Sequence, residues 1–202
     1  SDRSDSYPRW VANTSRDDVL RTAGKLFALD GYAATSIGHI AEAAGLSKSA
    51  VLYHYSSKEA LLEAVLAPTV DGLAGVLRSF PQASAGSTKS EFVEPFIDFL
   101  LANRLEASIF INQGQSLHGI PVIDRANELI QQLGRSVASG FESVDDRIRF
   151  GMALGGAAYI LAAQENWADP DEMPAHVDEI RAALIDTVAT LLTTTSTRIA
   201  SN

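Results

Sequence analysis

The chain has 202 residues, of which 46% are hydrophobic, no cysteine and a formal net charge of −9, a composition that supports a buried core and argues against a disordered polymer. The missing thiols exclude disulfides, redox cysteines and thiolate metal sites, and His39, His54, His118 and His176 lack metal-ligand spacing, so neither a metal nor a cofactor is expected. No run approaches the ~18 consecutive apolar residues of a membrane span, and no secretion signal opens the chain, so a cytoplasmic, non-membrane location is expected.

Residues 1–13 are polar, contain Pro8 and read as a flexible arm. A first helix is expected from near Ser15, with Asp18 as a capping partner, carrying Val19, Leu20, Ala23, Leu26 and Phe27 to a stop at Asp30-Gly31. Thr35 and Ser36 then supply hydroxyls suited to an N-cap, and Ile37, Ile40, Ala41 and Ala44 repeat at i, i+3, i+4, i+7. Gly45 suits a left-handed helix stop, with Leu46 able to fold back on the helix it closes. Ser47 can cap a second short helix, in which Val51 and Tyr55 form a buried edge while Lys48, Ser49, Leu52 and Tyr53 share another face. The segment 36–55 is therefore predicted to be a helix-turn-helix. Ser56-Ser57-Lys58-Glu59 reads as a capping box that opens a longer connecting helix, with Pro68 a kink or break.

Residues 81–90, PQASAGSTKS, read as a loop, and Phe92, Phe96 and Phe99 follow at i, i+4, i+7 on the next helix. A short helix over Leu105–Gln113, a Gly-Pro loop over His118–Pro121 and a helix from Val122 to about Val137 come next. Two long helices, roughly Asp145–Trp167 and Pro174–Thr195, close the chain on either side of DPDEMP. Gly151, Gly155, Ala158 and Ala162 lie along one side of the first, which permits close approach of another helix. Val177, Ile180, Leu184, Val188 and Leu191 form a bundle-like stripe on the second. No strand alternation of useful length, internal repeat or phosphate-binding glycine motif occurs, so the fold class is all-α.

The acidic total is unevenly spread. Residues 9–67 carry six basic and six acidic side chains, whereas residues 68–202 carry nine basic and seventeen acidic. A neutral segment with a few cations on one face can still neutralise phosphates, while an acidic body discourages nonspecific coating of a polyanion; ordinary solubility explains the same asymmetry. A helix such as 48–55 fits the major groove of B-DNA with its N-terminal residues at base edges. Lys48 can donate to guanine O6 and N7, Ser49 can donate or accept, and Leu52 offers contact to a thymine methyl. Tyr53, His54 and Lys58 carry donors suited to phosphates.

From Thr14 to Val65 the order LFALDGY, TSIGHIAEAAG, LSKSAVLYHY and SKEALL resembles the DNA-binding domain of the tetracycline-repressor (TetR) family of transcription regulators, over the first third of the chain. The resemblance implies an N-terminal three-helix helix-turn-helix domain at 14–67 and a C-terminal helical ligand-binding and dimerisation domain at 68–202. It implies base contacts from Lys48, Ser49 and Leu52, and phosphate contacts from Thr35 or Ser36, Tyr53, His54 and Lys58. The chain departs from the family where a tyrosine is common and Leu52 stands, where a proline is common and Ser56 stands, and at Gly38, where some relatives carry a long polar side chain.

For the body, the resemblance implies a homodimer through the last two helices, placing Gly151, Gly155, Ala158, Ala162, Ile180, Leu184, Val188 and Leu191 at the interface; packing within one subunit is the other reading of the same stripes. It also implies a small-molecule effector. Phe96, Phe99, Phe110 and Tyr159 are candidates for an apolar cavity, with Asn103, Asn112, Gln113, His118 and Trp167 as polar groups, and few basic residues point to a neutral, apolar or cationic compound. The expected function is a dimeric repressor that binds double-stranded operator DNA and is released by that effector. The competing reading, a helical carrier or enzyme, finds no Ser/His/Asp or paired-carboxylate grouping with recognisable spacing.

Overall fold

The computed structural model describes residues 9–78, 92–140, 143–163 and 176–193, with side chains from Arg16 onward. Every regular element among these residues is helical. In chain order they are α1 (Arg9–Leu29), α2 (Ile37–Ala43), α3 (Lys48–His54), α4 (Lys58–Arg78), α5 (Glu94–Ala102), α6 (Arg104–Gln113), α7 (Pro121–Gly140), α8 (Val144–Ala162) and α9 (Val177–Thr193). The chain divides into two compact units, one ending at Ala67 and the other starting at Pro68. The DPDEMP break, Trp167 and the 81–90 segment lie outside the described residues.

In the first unit, α1 contributes Val19, Ala23 and Phe27, all fully buried, against Ile40 of α2, Val51 of α3 and Leu61 and Leu62 of α4. The helix α1 starts at Arg9, earlier than the expected Ser15, because no glycine or proline lies between Arg9 and Ser15 to stop it. Ser15 is thus interior to the helix and not its cap. Thr35 closes the loop after α1: its Oγ1 donates to the carbonyls of Gly31 (2.8 Å) and Leu26 (3.2 Å) and is buried. Gly31, at φ +89°, takes the left-handed turn that ends α1.

The first residue of α4 ties this loop down. Lys58 Nζ donates to the carbonyls of Tyr32 (2.8 Å) and Thr35 (2.9 Å) and stands 4.1 Å from the centroid of the Tyr32 ring. Ser57 caps the same helix, accepting from the Ala60 N–H at 3.1 Å, one residue later than the capping box suggests. Pro68 neither ends nor interrupts α4, which continues to Arg78. This helix is long and apolar enough to cross a membrane by composition. Four of its apolar residues, Leu61, Leu62, Leu66 and Val70, are buried in the protein.

The second unit packs α5, α6, α8 and α9 around Phe96, Ile97, Phe150, Leu154, Leu161, Leu184 and Val188. Phe92 stacks on Phe96 and on Phe150, with centroids 5.7 and 6.4 Å away. The α8 helix stops at Ala162 and not near Trp167, since Ala163 turns to extended backbone. The α7 helix is longer than expected: it begins at Pro121, whose fixed φ suits a first helical position, and reaches Gly140. Arg181 of α9 grips α5 through both oxygens of Asp98, at 2.5 and 2.9 Å, with Glu94 at 3.8 Å.

Two measurements test these ties. Replacing Lys58 by Met keeps the stem but strands two carbonyls, and should destabilise the first unit by about 1.5–3 kcal/mol, seen as a lower Tm in calorimetry. The hydrogen bond from Arg181, opposed by partial burial and helped by its charge, holds the Asp98 carboxyl below its ordinary range. A carboxyl depressed in the folded state stabilises above its unfolded value of about 3.9 and loses that contribution as pH falls. Arg181→Met should therefore lower Tm at neutral pH, with the difference from the parent chain shrinking below about pH 4.

Candidate nucleic-acid interface and interior cavity

Between α2 and α3 the backbone makes a closed set of bonds. Ser36 Oγ accepts from the His39 N–H at 3.1 Å at the start of α2. At its end, the N–H of Leu46 donates to the Ala41 carbonyl (2.8 Å) and that of Gly45 to the Glu42 carbonyl (3.1 Å). That pair is the Schellman arrangement, with Gly45 at φ +68° supplying the left-handed residue. Ser47 then starts α3 by accepting from the Ala50 N–H at 3.1 Å. The expected turn, cap and helix order are all present.

Val51 and Tyr55 anchor α3 inward. Tyr55 also receives a hydrogen bond on its hydroxyl from Arg16 Nε at 3.2 Å, which joins the end of α3 to α1. With that edge buried, Lys48 and Ser49 stand exposed on the first turn, and Leu52 and Tyr53 one turn later; Tyr53 is 86% exposed. Ser49 Oγ lies 3.0 Å from Ser47 Oγ, so its hydroxyl is oriented by the cap. His54 is half-buried, its ring edge-on to that of Tyr53 at 5.3 Å. Ser36 is exposed at the start of α2. A side chain at Gly38 would meet only Ser36 Oγ, at 3.6 Å, so no steric demand requires glycine there.

Two of the eight residues expected at DNA are turned inward. Thr35 Oγ1 is spent on two carbonyls, and Lys58 Nζ is held by two more and the Tyr32 ring. Each would have to give up buried bonds to meet a phosphate, so both are structural in this arrangement. Burial, and secondarily Glu59, push the Tyr32 hydroxyl up to about 12, so it is neutral at physiological pH. Glu59 is held below its ordinary range by its own backbone N–H at the start of α4, and by the Ser57 and Tyr32 hydroxyls. Sequence reasoning missed the roles of Arg16 and Tyr32, because neither pattern nor spacing shows which polar atoms meet across 39 or 26 residues.

The second unit holds a cavity of about 240 Å³. Its walls come from α4 (Thr69, Val70, Leu73, Leu77), α5 (Phe96, Phe99, Leu100), α6 (Ala107, Phe110, Ile111), α7 (Ala126, Ile130, Leu133) and α8 (Leu154, Gly155, Ala158). It opens where Ile111, Ile130 and Gly155 are exposed. Three expected residues, Phe96, Phe99 and Phe110, line it; Tyr159 is 63% exposed, and Gln113 and His118 are not in its wall. His118 borders a separate shallow depression with Gly114, Gln115 and Asn127, its Nδ1 2.8 Å from Asp124 Oδ1. Asn103 lies behind the wall: its Oδ1 accepts from Thr69 Oγ1 at 3.0 Å and its Nδ2 donates to the Phe99 carbonyl at 2.8 Å. The α4 and α7 contributions escaped sequence reasoning, which searched for aromatic stripes.

The residues expected between two copies divide differently. Leu184, Val188 and Ala162 are buried within the unit, and Ala158, Ile180 and Leu191 pack against the same core. Of the α9 stripe, Leu184 and Val188 are covered by their own chain, while Val177, Ile180 and Leu191 keep part of their surface open. Gly151 and Gly155 remain on an open face, where a Cβ would meet nothing within 4 Å. That face also exposes Val144, Ile148, Met152 and Tyr159, and at about 100° per residue all four fall within roughly 60° of Gly155.

Residues 19–65 match the profile described as bacterial regulatory proteins, tetR family. The chain is 46% identical over 50 residues to the uncharacterized HTH-type transcriptional regulator YerO of Bacillus subtilis, covering 25% of this chain and 17% of that protein. It is 38% identical over 60 residues to the HTH-type transcriptional repressor KstR2 of Mycolicibacterium smegmatis, covering 30% and 29%. These matches span less than a third of the curated relatives. The solved structure of ketosteroid transcriptional regulator KstR2 of Mycobacterium tuberculosis shares the fold, with a TM-score of 0.64 at 17% identity over 88% of this chain and 95% of that one. The relatives are transcription regulators and not enzymes. By its helix-turn-helix and that profile, the segment from residue 19 to residue 65 is a DNA-binding domain of the kind carried by bacterial regulatory proteins of the tetR family.

Proposed function

We propose that the protein is a homodimeric transcriptional repressor that reads a palindromic operator with α3 and is released from it by a small molecule. The observation that carries this reading is the α3 face. Lys48, Ser49, Leu52 and Tyr53 are exposed on a helix whose other side is locked by Val51 and Tyr55, so donors and an apolar group are presented on a rigid support. Lys48 and Ser49 are the base readers, Leu52 an apolar contact, and Ser36, Tyr53 and His54 the phosphate contacts. Two of the matched relatives are named repressor (KstR2) and one activator (FasR of Mycolicibacterium smegmatis); repression is the reading adopted on that majority.

Dimerisation is assigned first to the α8 face around Gly155, where Val144, Ile148, Met152 and Tyr159 stand in solvent, with the half-exposed Ile180 and Leu191 of α9 as further candidates. Two copies related by a two-fold axis bring their α3 helices to successive major grooves only at about 34–36 Å, one turn of DNA. A molecule bound in the cavity weakens DNA binding to the extent that it prefers an arrangement with another spacing.

Lys48→Ala with Tyr53→Ala should weaken retardation of operator fragments, selected from the source genome, by at least tenfold while the circular dichroism spectrum stays unchanged. Unaltered affinity would exclude α3 as the reading element. Replacing Met152 and Ile148 by Glu should give monomers in sedimentation and cut operator affinity in parallel; a persistent dimer would remove α8 from the interface. Reporter transcription should rise when the gene is deleted, and a fall would make the protein an activator.

A further inference from the structure

Among the described residues, the cavity wall carries no ionisable side chain and no carboxamide, and Thr69 is the single polar one. That hydroxyl gives its proton to Asn103 Oδ1, and the amide end of Asn103 donates to the Phe99 carbonyl, so the Thr69 proton is committed inside the protein and the wall offers no free donor to an anion. The wall otherwise consists of helix segments whose backbone groups bond within their own helices. An ion placed there would lose its water and meet no counter-charge, whichever its sign. The expectation of a cationic compound finds no carboxylate in the wall to receive it.

Size narrows the choice further. An apolar cavity of roughly 150 Å³ takes benzene, so about 240 Å³ takes on the order of ten carbon atoms. The exposed Ile111 and Ile130 extend the same apolar character to the mouth. We infer that the cavity binds an uncharged, predominantly hydrocarbon molecule of about ten carbons, with any single polar group held at the mouth and no ionic anchor. This rests on the effector reading above and specifies its ligand.

The test is direct calorimetric titration of the full chain, without DNA, using 1-decanol, decanoate and decylammonium below their aggregation limits. Decanol should bind at least tenfold more tightly than either ion, and affinity along the series from hexanol to decanol should rise about fourfold per methylene. Ala126→Phe, which fills the wall from the α7 side, should reduce decanol affinity at least tenfold. Ile130→Lys, at a residue 54% exposed and tolerant of charge, should strengthen decanoate at least tenfold and leave decylammonium weak. Equal or tighter binding of either ion to the parent chain, or a flat alcohol series, would overturn the proposal. So would an Ile130→Lys chain that still rejects decanoate. Because no DNA is present, these outcomes stand apart from the operator assay: decanol binding that leaves operator retardation unchanged would refute release by this class of ligand and keep the cavity's chemistry.

Discussion

Two helices of seven residues cannot stand alone in water, where isolated helices shorter than about 12–15 residues are marginal. Everything distinctive about the first unit follows from that constraint. Their ends must be capped, so serine hydroxyls open both and Gly45 closes the first. Their inner faces must be buried, so Ile40, Ala41, Val51 and Tyr55 are given to the core. The loop leading into them must be still, and Lys58 holds it by two carbonyls from the far side of the unit. What remains of α3 after these demands is a narrow outward face.

The two units use charge in opposite ways. In the first, one cation is consumed internally at Lys58, while Lys48 is left exposed on α3, which carries no acidic side chain. In the second, ionic groups work on the outside, as in the Arg181 grip on Asp98 and Glu94, and are excluded from the cavity wall. The acidic surplus of the body therefore says nothing about the interior, whose character is set by side chains from five helices. A charge count over residues 68–202 cannot resolve that difference.

The helix-turn-helix was legible because its signals are local. Ser36, Gly45 and Ser47 act within three or four residues, and the i, i+4 pair Val51 and Tyr55 shows which side is inward. Elsewhere periodicity shows that a face is covered and not what covers it. Leu184 and Val188, expected at a seam between copies, are buried within the chain, whereas Val144, Ile148 and Met152, which no periodic stripe singled out, are exposed. Lys58 illustrates the same limit for polar groups: a lysine beside a helix start has the composition of a phosphate contact, and only its distance to the Tyr32 and Thr35 carbonyls shows otherwise. The boundaries of α1 and α8 also moved, because weak helix formers such as Trp10 and Asn13 do not forbid a helix and a long apolar run does not oblige one to continue.

Gly155 belongs to two surfaces at once. It lines the cavity at its mouth and lies at the centre of the exposed α8 stripe. With no neighbour within 4 Å of a Cβ, the position has room for a methyl group in a single subunit. A bulky replacement would narrow the entrance and reshape the outer face in one mutational step. Under the proposed dimer and ligand readings, a change at this one residue alters both what the cavity admits and which chains pair.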